Sequence, residues 1–336
     1  MQLDALIAPP TLAEAGPTAA AAERLGFAAV WTAEIQHDPF LRLGQAAVAT
    51  SRIGLGTAIA LAFPRSPTVT AYTAWDLAAA SHGRFMLGLG TQVKAHIERR
   101  FATPWGAPVE RLRDYIAAVR AVWSCWQTGE RLRHEGPFYS LKLMTPFFNP
   151  GPLDCPPPPI YIAGVNRGLC RLAGEVCDGF HVHPFHTPRY LREEILPAIR
   201  EGLDAAGRTR EAIQVSGSVF VIVGEGEARD QTREAMRRQI AFYASTPSYS
   251  SVLALHGWAE QGAELGRLAG RGLWTEMPAL VDDAILAEFA VEGDTLAEAA
   301  AALHERYSGL LDRAAFYLPF TPGERDAEWV AALASP

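Results

Sequence analysis

The stretch IGLGTAIALAFPRSPTVTAYTAWDLAAASHGRFMLGLG, residues 53–90, decides the fold. It opens with the apolar run 53–59, passes through the helix-periodic segment 68–80, and closes with a second apolar run, 84–90. Neither run alternates between apolar and polar. Continuous apolar strands are buried on both faces, which makes them parallel strands covered by helices. Working outward, the same unit recurs. Further short apolar runs lie at 3–8, 27–32, 160–163, 179–182, 213–223 and 313–318. Helical spacing fills 12–25, 40–49, 109–127, 169–175, 188–206 and 295–307.

Eight such strands with helices between them close naturally into a (β/α)8 barrel. An open doubly wound sheet is the other arrangement of this alternation. The first strand–helix junction, IAPPTLAEAG at 7–16, lacks the G-x-G-x-x-G turn of that fold. Two stretches break the rhythm, 128–159 and 245–292. Because the alternation resumes after each, both read as insertions into one domain spanning 1–336, expected at the C-terminal face of the barrel.

Composition bounds the function. With 30 Lys+Arg against 37 Asp+Glu the net charge is −7, and 49% of the 336 residues are hydrophobic. That excludes a disordered chain and argues against a phosphate-gripping nucleic-acid binder. No run of apolar residues is long enough to suggest a membrane span. Cys125, Cys155, Cys170 and Cys177 form no C-x-x-C pair, and they read as small apolar residues in a reducing compartment. The N-terminus has no cationic segment leading into an apolar run, so a soluble cytoplasmic protein is expected.

In a barrel, chemistry sits where strands end. After the second strand come Glu34, His37 and Asp38. His37 suits proton exchange near neutrality, with Glu34 or Asp38 setting its tautomer. Asp38 also reads as the cap of the helix beginning at Pro39. The loop 56–67, with Phe63, is apolar and suits a wall for a flat ring. After the fourth strand, Gly90 permits close backbone approach. Gln92, Lys94, His96, Arg99 and Arg100 follow, and Lys94 is one of only two lysines. After the fifth strand, Val165, Asn166, Arg167 and Gly168 precede a helix N-terminus, which suits an anion. His181 and His183 share one face of the sixth strand, an arrangement that can hold a divalent metal; lining the pocket is the other reading of His183.

Taken together, S-H-G-R-F-M-L-G-L-G at 81–90, the loop 56–67, the segment 160–168 and A-G-E-V-C-D-G-F at 173–180 resemble the bacterial luciferase-like monooxygenase family. W-T-A-E-I-Q-H-D-P-F, Q-V-K-A-H-I-E-R-R-F and H-P-F look most like its branch that uses the deazaflavin coenzyme F420. The resemblance implies a cofactor lying across the strand ends. Its ring would rest on Thr57, Ala58 and Ile59, near a non-prolyl cis peptide. Gly90, Gln92, Lys94 and His96 would line its chain, and Val165–Gly168 would meet its phosphate.

The implied activity is hydride transfer between F420 and a small organic substrate, an alcohol or carbonyl or an activated alkene. His37 would be the acid/base with Glu34 beside it, and His183 and Phe63 would line the substrate pocket. Many relatives carry a histidine directly after the acid that ends the second strand; here that position is Ile35. Two other readings are an FMN-dependent monooxygenase using reduced flavin and O2, and a metal-dependent barrel hydrolase built on His181 and His183. No metal, nucleic acid or membrane partner is expected. A homodimer is, with the apolar helix 109–127 bearing Trp123 and Trp126 as its candidate surface; plain core packing is the other reading of that helix.

Overall fold

The structure, a computed structural model, describes residues 1–9 and 11–317. The barrel strands are β1 (Gln2–Leu6), β2 (Ala29–Thr32), β3 (Gly54–Thr57), β4 (Phe85–Gly90), β5 (Ile160–Gly164), β6 (Gly179–Val182), β7 (Gln214–Val223) and β8 (Arg313–Tyr317). Each is parallel to the next, and β1 pairs with β8, which closes the barrel. All eight expected strands are present. The expected end of the last one, Leu318, lies outside the described residues.

The covering helices are α1 (Leu12–Leu25), α2 (Pro39–Ala49), α3 (Pro67–Ala80), α4 (Pro108–Thr128), α5 (Arg167–Val176), α6 (Leu196–Ala205), α7 (Gly226–Ala244) and α8 (Leu296–Tyr307). Local chemistry starts several of them. Asp38 Oδ1 accepts from the backbone N–H of Phe40 and Leu41 at 2.8 and 3.2 Å, so the capping role of Asp38 holds. The helix expected over 188–206 runs without a break from Pro188 to Ala205: it opens at Pro188–Tyr190, widens into a π-turn at Leu191–Ile195, and continues as α6. Pro197 has no N–H to return to the preceding turn, and the wider π-turn absorbs the missing bond.

The first insertion is a strap on the outside of α3 and α4. It leaves from the end of α4 and returns to the start of β5, both at the N-terminal end of the barrel. Between them its hairpin, His134–Glu135 with Ser140–Leu141, climbs to the first turns of α4, where Asp114 accepts from the N–H of Phe138 and Tyr139. There Tyr139 meets Arg111 at the rim. The second insertion is largely helical. It ends in the strand Ala290–Gly293, which pairs with the C-terminal half of β7 and was not expected from the sequence.

Of the two readings of the helix 109–127, core packing holds for its tryptophans, and they form no dimer surface. Trp123 and Trp126 are 2% and 1% exposed, packed against Trp75 and Tyr72 between α3 and α4. Their spacing reflects core packing. No helix of the described residues is long and apolar enough to cross a membrane.

Candidate active site at the C-terminal rim

The pleat puts alternate residues inside the barrel. Gly56 is required there, because a Cβ would sit 2.1 Å from the Trp31 ring. Trp31 Nε1–H donates to Asp4 Oδ2 at 2.8 Å, and Arg313 donates to both Asp4 oxygens at 2.8 and 2.6 Å. His181 stacks on Tyr161 at 5.0 Å and meets Trp31 edge-on at 4.7 Å. Burial and the charge of Arg313 push its pKa down to about 3, and its Nε2 has no hydrogen-bond partner. This plug closes the interior below the rim.

On the rim, β2, β3 and β4 are latched together. Ala58 N–H donates to Thr32 O at 2.8 Å, and Glu34 N–H donates to Ile59 O at 3.0 Å. Thr57 Oγ1 donates to Gly88 O at 2.6 Å and accepts from Gly88 N–H at 2.8 Å. The Ala58–Ile59 peptide is cis, at the place the resemblance indicates. Gly90 leaves room for Ile59, since a Cβ there would lie 2.4 Å from Ile59 Cδ1 and push that side chain aside.

Glu34 is committed. Its Oε2 accepts from Leu61 N–H at 2.7 Å and from Arg65 Nη1 at 2.6 Å. Arg65 Nη2 reaches Asp38 Oδ2 at 2.8 Å. Burial works against the Arg65 charge, but the bonds and charges of Glu34 and Asp38 outweigh it and raise its pKa. His37 is exposed. The expectation that Glu34 or Asp38 sets its tautomer is therefore corrected: both carboxylates serve Arg65. Arg65 carries no local signal in the sequence, because its partners lie 31 and 27 residues away.

Gln92, Lys94 and His96 follow β4. Gln92 adopts a left-handed backbone, φ 58°, and its Oε1 accepts from Val93 N–H at 2.9 Å. Lys94 and His96 are exposed on the short helix Lys94–Arg99, with Lys94 Nζ 4.0 Å from Glu98. Arg100 donates to Ile35 O at 2.9 Å and so ties this segment to the loop after β2.

Next along the rim, Val165 and Asn166 lead into α5. Asn166 gives no side-chain cap, and its carbonyl takes the N–H of Leu169 and Cys170 at 3.0 and 3.2 Å. The N–H groups of Arg167 and Gly168 have no acceptor among the described residues. They form the kind of positive helix end that binds anions. The Arg167 side chain, expected to add charge, is instead taken by Glu194 and Glu201 at 3.2 and 2.5 Å.

Strand adjacency places the proposed cofactor residues on one arc, over β3, β4 and β5. Phe63 is not on its open side. It is 2% exposed, under Arg111 at 4.4 Å and Trp105 at 6.0 Å. Across the mouth, His183 is held by Phe185 N–H at Nδ1 and by Tyr249 Oη at Nε2, both at 3.1 Å. Burial, then His186, lowers its pKa to about 3. With both its nitrogens engaged and His181 stacked inside the plug, the H-x-H pair does not form a metal site. No group of three or more His, Cys, Asp or Glu among the described residues is placed to hold a metal ion.

Comparison with known proteins agrees with this geometry. An uncharacterised protein of Mycobacterium tuberculosis (strain ATCC 25618 / H37Rv) is 48% identical over 316 residues, covering 93% of this chain and 92% of its own. An F420-dependent glucose-6-phosphate dehydrogenase of Microbacterium testaceum is 31% identical over 211 residues, 60% of this chain and 61% of its own. The coenzyme F420-dependent tetrahydromethanopterin reductase of Methanopyrus kandleri shares the fold, with a TM-score of 0.78 at 21% identity over 99% of this chain and 97% of its own. The family pattern described as luciferase-like monooxygenase matches residues 2–313. With that match covering nearly every strand of a closed barrel whose rim carries the cis peptide, the chain belongs to the luciferase-like monooxygenase family.

Proposed function

We propose that the protein is an F420-dependent oxidoreductase that moves a hydride between the deazaflavin and a small organic substrate, an alcohol or carbonyl or an activated alkene. The observation that carries this reading is the arc itself. A latched apolar shelf at Thr57–Ile59, after β3, and the open helix end at Arg167–Gly168, after β5, flank the rim of β4. A planar ring fits the first and a phosphate the second. Relatives named for F420 support the choice of cofactor. When bound, the deazaflavin supplies hydride chemistry at C5.

The chain's own residues supply position and proton handling. Glu34 and Arg65 hold the shelf, and Lys94 offers charge to an acidic cofactor tail. His37, exposed at the rim, is the acid/base. The working unit is a cytoplasmic homodimer with a small-molecule substrate.

The second reading, FMN with O2, stands on the family name. Titration with each cofactor separates the two. Bound F420 absorbs near ~420 nm and bound FMN near ~450 nm. Tight FMN binding without measurable F420 affinity would overturn the proposal.

A further inference from the structure

Away from the cofactor arc, the rim over β6, β7 and β8 has its own chemistry. His183 sits two residues beyond His181 and so continues the inward face of β6. Phe220 and Tyr317 are paired neighbours on β7 and β8, on the same inward row as Ser216 and Arg313. Tyr243 and Tyr249 close over them. Tyr243 meets His183 edge-on at 4.8 Å, and its Oη lies 3.3 Å from Tyr317 Oη. Tyr249 stacks on His183 at 4.4 Å.

The hydrogen bonds fix which atom carries each proton. Phe185 N–H donates to His183 Nδ1, so Nδ1 has no proton. The neutral ring must then carry its proton on Nε2, and Nε2–H donates to Tyr249 Oη. A phenol oxygen that accepts this bond still has its own O–H to give. Tyr249 Oη has no other partner among the described residues, and the side chain is half-buried.

The side chains that meet here are uncharged. Tyr243, Tyr249 and Phe185 pack on one another, the two tyrosines also meet His183, and Phe220 lies against Tyr243 and Tyr317. Nothing in that set would receive a phosphate or a carboxylate.

We infer that this side of the mouth is a substrate subsite for a neutral, apolar, ring-bearing molecule. Tyr249 donates a hydrogen bond to one oxygen of that molecule, and His183 is the positioning residue that aims the donor. The inference deepens the proposed function and rests on it for the placing of the substrate.

The test uses acetophenone as the probe, with ethylbenzene and phenyl phosphate as controls, on the full-length protein with and without F420. Titration gives affinities, and infrared difference spectra give the bound carbonyl stretch. In the wild type, acetophenone binds more tightly than phenyl phosphate, and its carbonyl stretch falls below its value in an apolar solvent. Tyr249→Phe weakens acetophenone by roughly fivefold to tenfold, restores the stretch and leaves ethylbenzene unchanged. His183→Leu keeps the phenol but broadens the stretch, because the donor loses its direction.

Equal losses for acetophenone and ethylbenzene in Tyr249→Phe would reduce Tyr249 to packing and overturn the inference. So would an unchanged stretch, tighter binding of phenyl phosphate, or no acetophenone binding in either state. F420 binding is read separately by its absorbance, so a failure of the cofactor assignment is seen apart from a failure of the subsite.

Discussion

Arg65 Nη1 donates to Glu34 Oε2 across 2.6 Å, and this one bond joins the loop after β2 to the shelf that follows β3. Both side chains are largely shielded, 19% and 10% exposed. The same oxygen of Glu34 takes the N–H of Leu61, so the carboxylate is a structural anchor of the proposed cofactor arc.

Removing Arg65 tests that anchor. Arg65→Met leaves Glu34 and Asp38 without their shared cation and is expected to cost about 1.5–3 kcal/mol in stability. Cofactor affinity falls with it, since Glu34, which holds Leu61 and Ile59, loses the cation that fixes its carboxylate. Urea unfolding of Arg65→Met, Glu34→Gln and the double variant measures the coupling. Simple additivity would show that the bond does not act as one unit.

His37 carries the catalytic prediction. His37→Ala is expected to lower kcat by roughly 10²–10⁴-fold while cofactor binding stays nearly constant. Glu34→Gln, by contrast, should weaken cofactor binding and stability together. Normal turnover in His37→Ala would pass the proton role to another residue.

The cofactor tail is expected to follow electrostatics. Lys94 is exposed and its ion pair with Glu98 is long, 4.0 Å, so it is not locked away. Lys94→Glu should weaken F420 binding severalfold, and added salt should narrow the gap between variant and wild type. Arg167→Ala should have the smaller effect, because Glu194 and Glu201 already hold that side chain.

The barrel interior makes a stability prediction. Asp4 and Arg313 are buried and bound to each other, with Trp31 as a third member. Arg313→Met strands the Asp4 carboxylate and should cost about 3–5 kcal/mol. The double change Asp4→Leu with Arg313→Met should recover much of it, as measured by denaturant midpoint.

Acid should destabilise the fold through buried histidines. Burial lowers His181 to about 3, His183 to about 3 and His186 to about 4, from an ordinary 6.5. Below about pH 6.5 the unfolded chain takes up protons that the folded chain refuses, so stability falls as pH falls. The loss levels off only near the folded values. Each histidine contributes about 1.4 kcal/mol per pH unit in that window. His186→Phe should flatten the slope by that amount between about pH 6 and about pH 5, read by urea unfolding.

Much of this molecule is determined by its sequence alone. The unalternating runs at 53–59 and 84–90 specify buried parallel strands, and the eightfold βα repetition specifies closure. The Asp38 cap is equally legible, because its partners are two and three residues away. These signals are local: a period, a cap, a short offset. Tertiary structure alone decided the rest. The Arg65–Glu34 bond spans 31 residues and the Tyr249–His183 bond 66, while Asp4 and Arg313 meet across 309. Trp123 and Trp126 read as surface or as core until the strap and α3 cover them, and His37 reads as oriented until Arg65 takes both its carboxylates. No period or spacing encodes such pairs. They exist because closing the barrel brings the ends of distant strands within hydrogen-bond reach, and a buried polar group must take whatever partner that closure delivers.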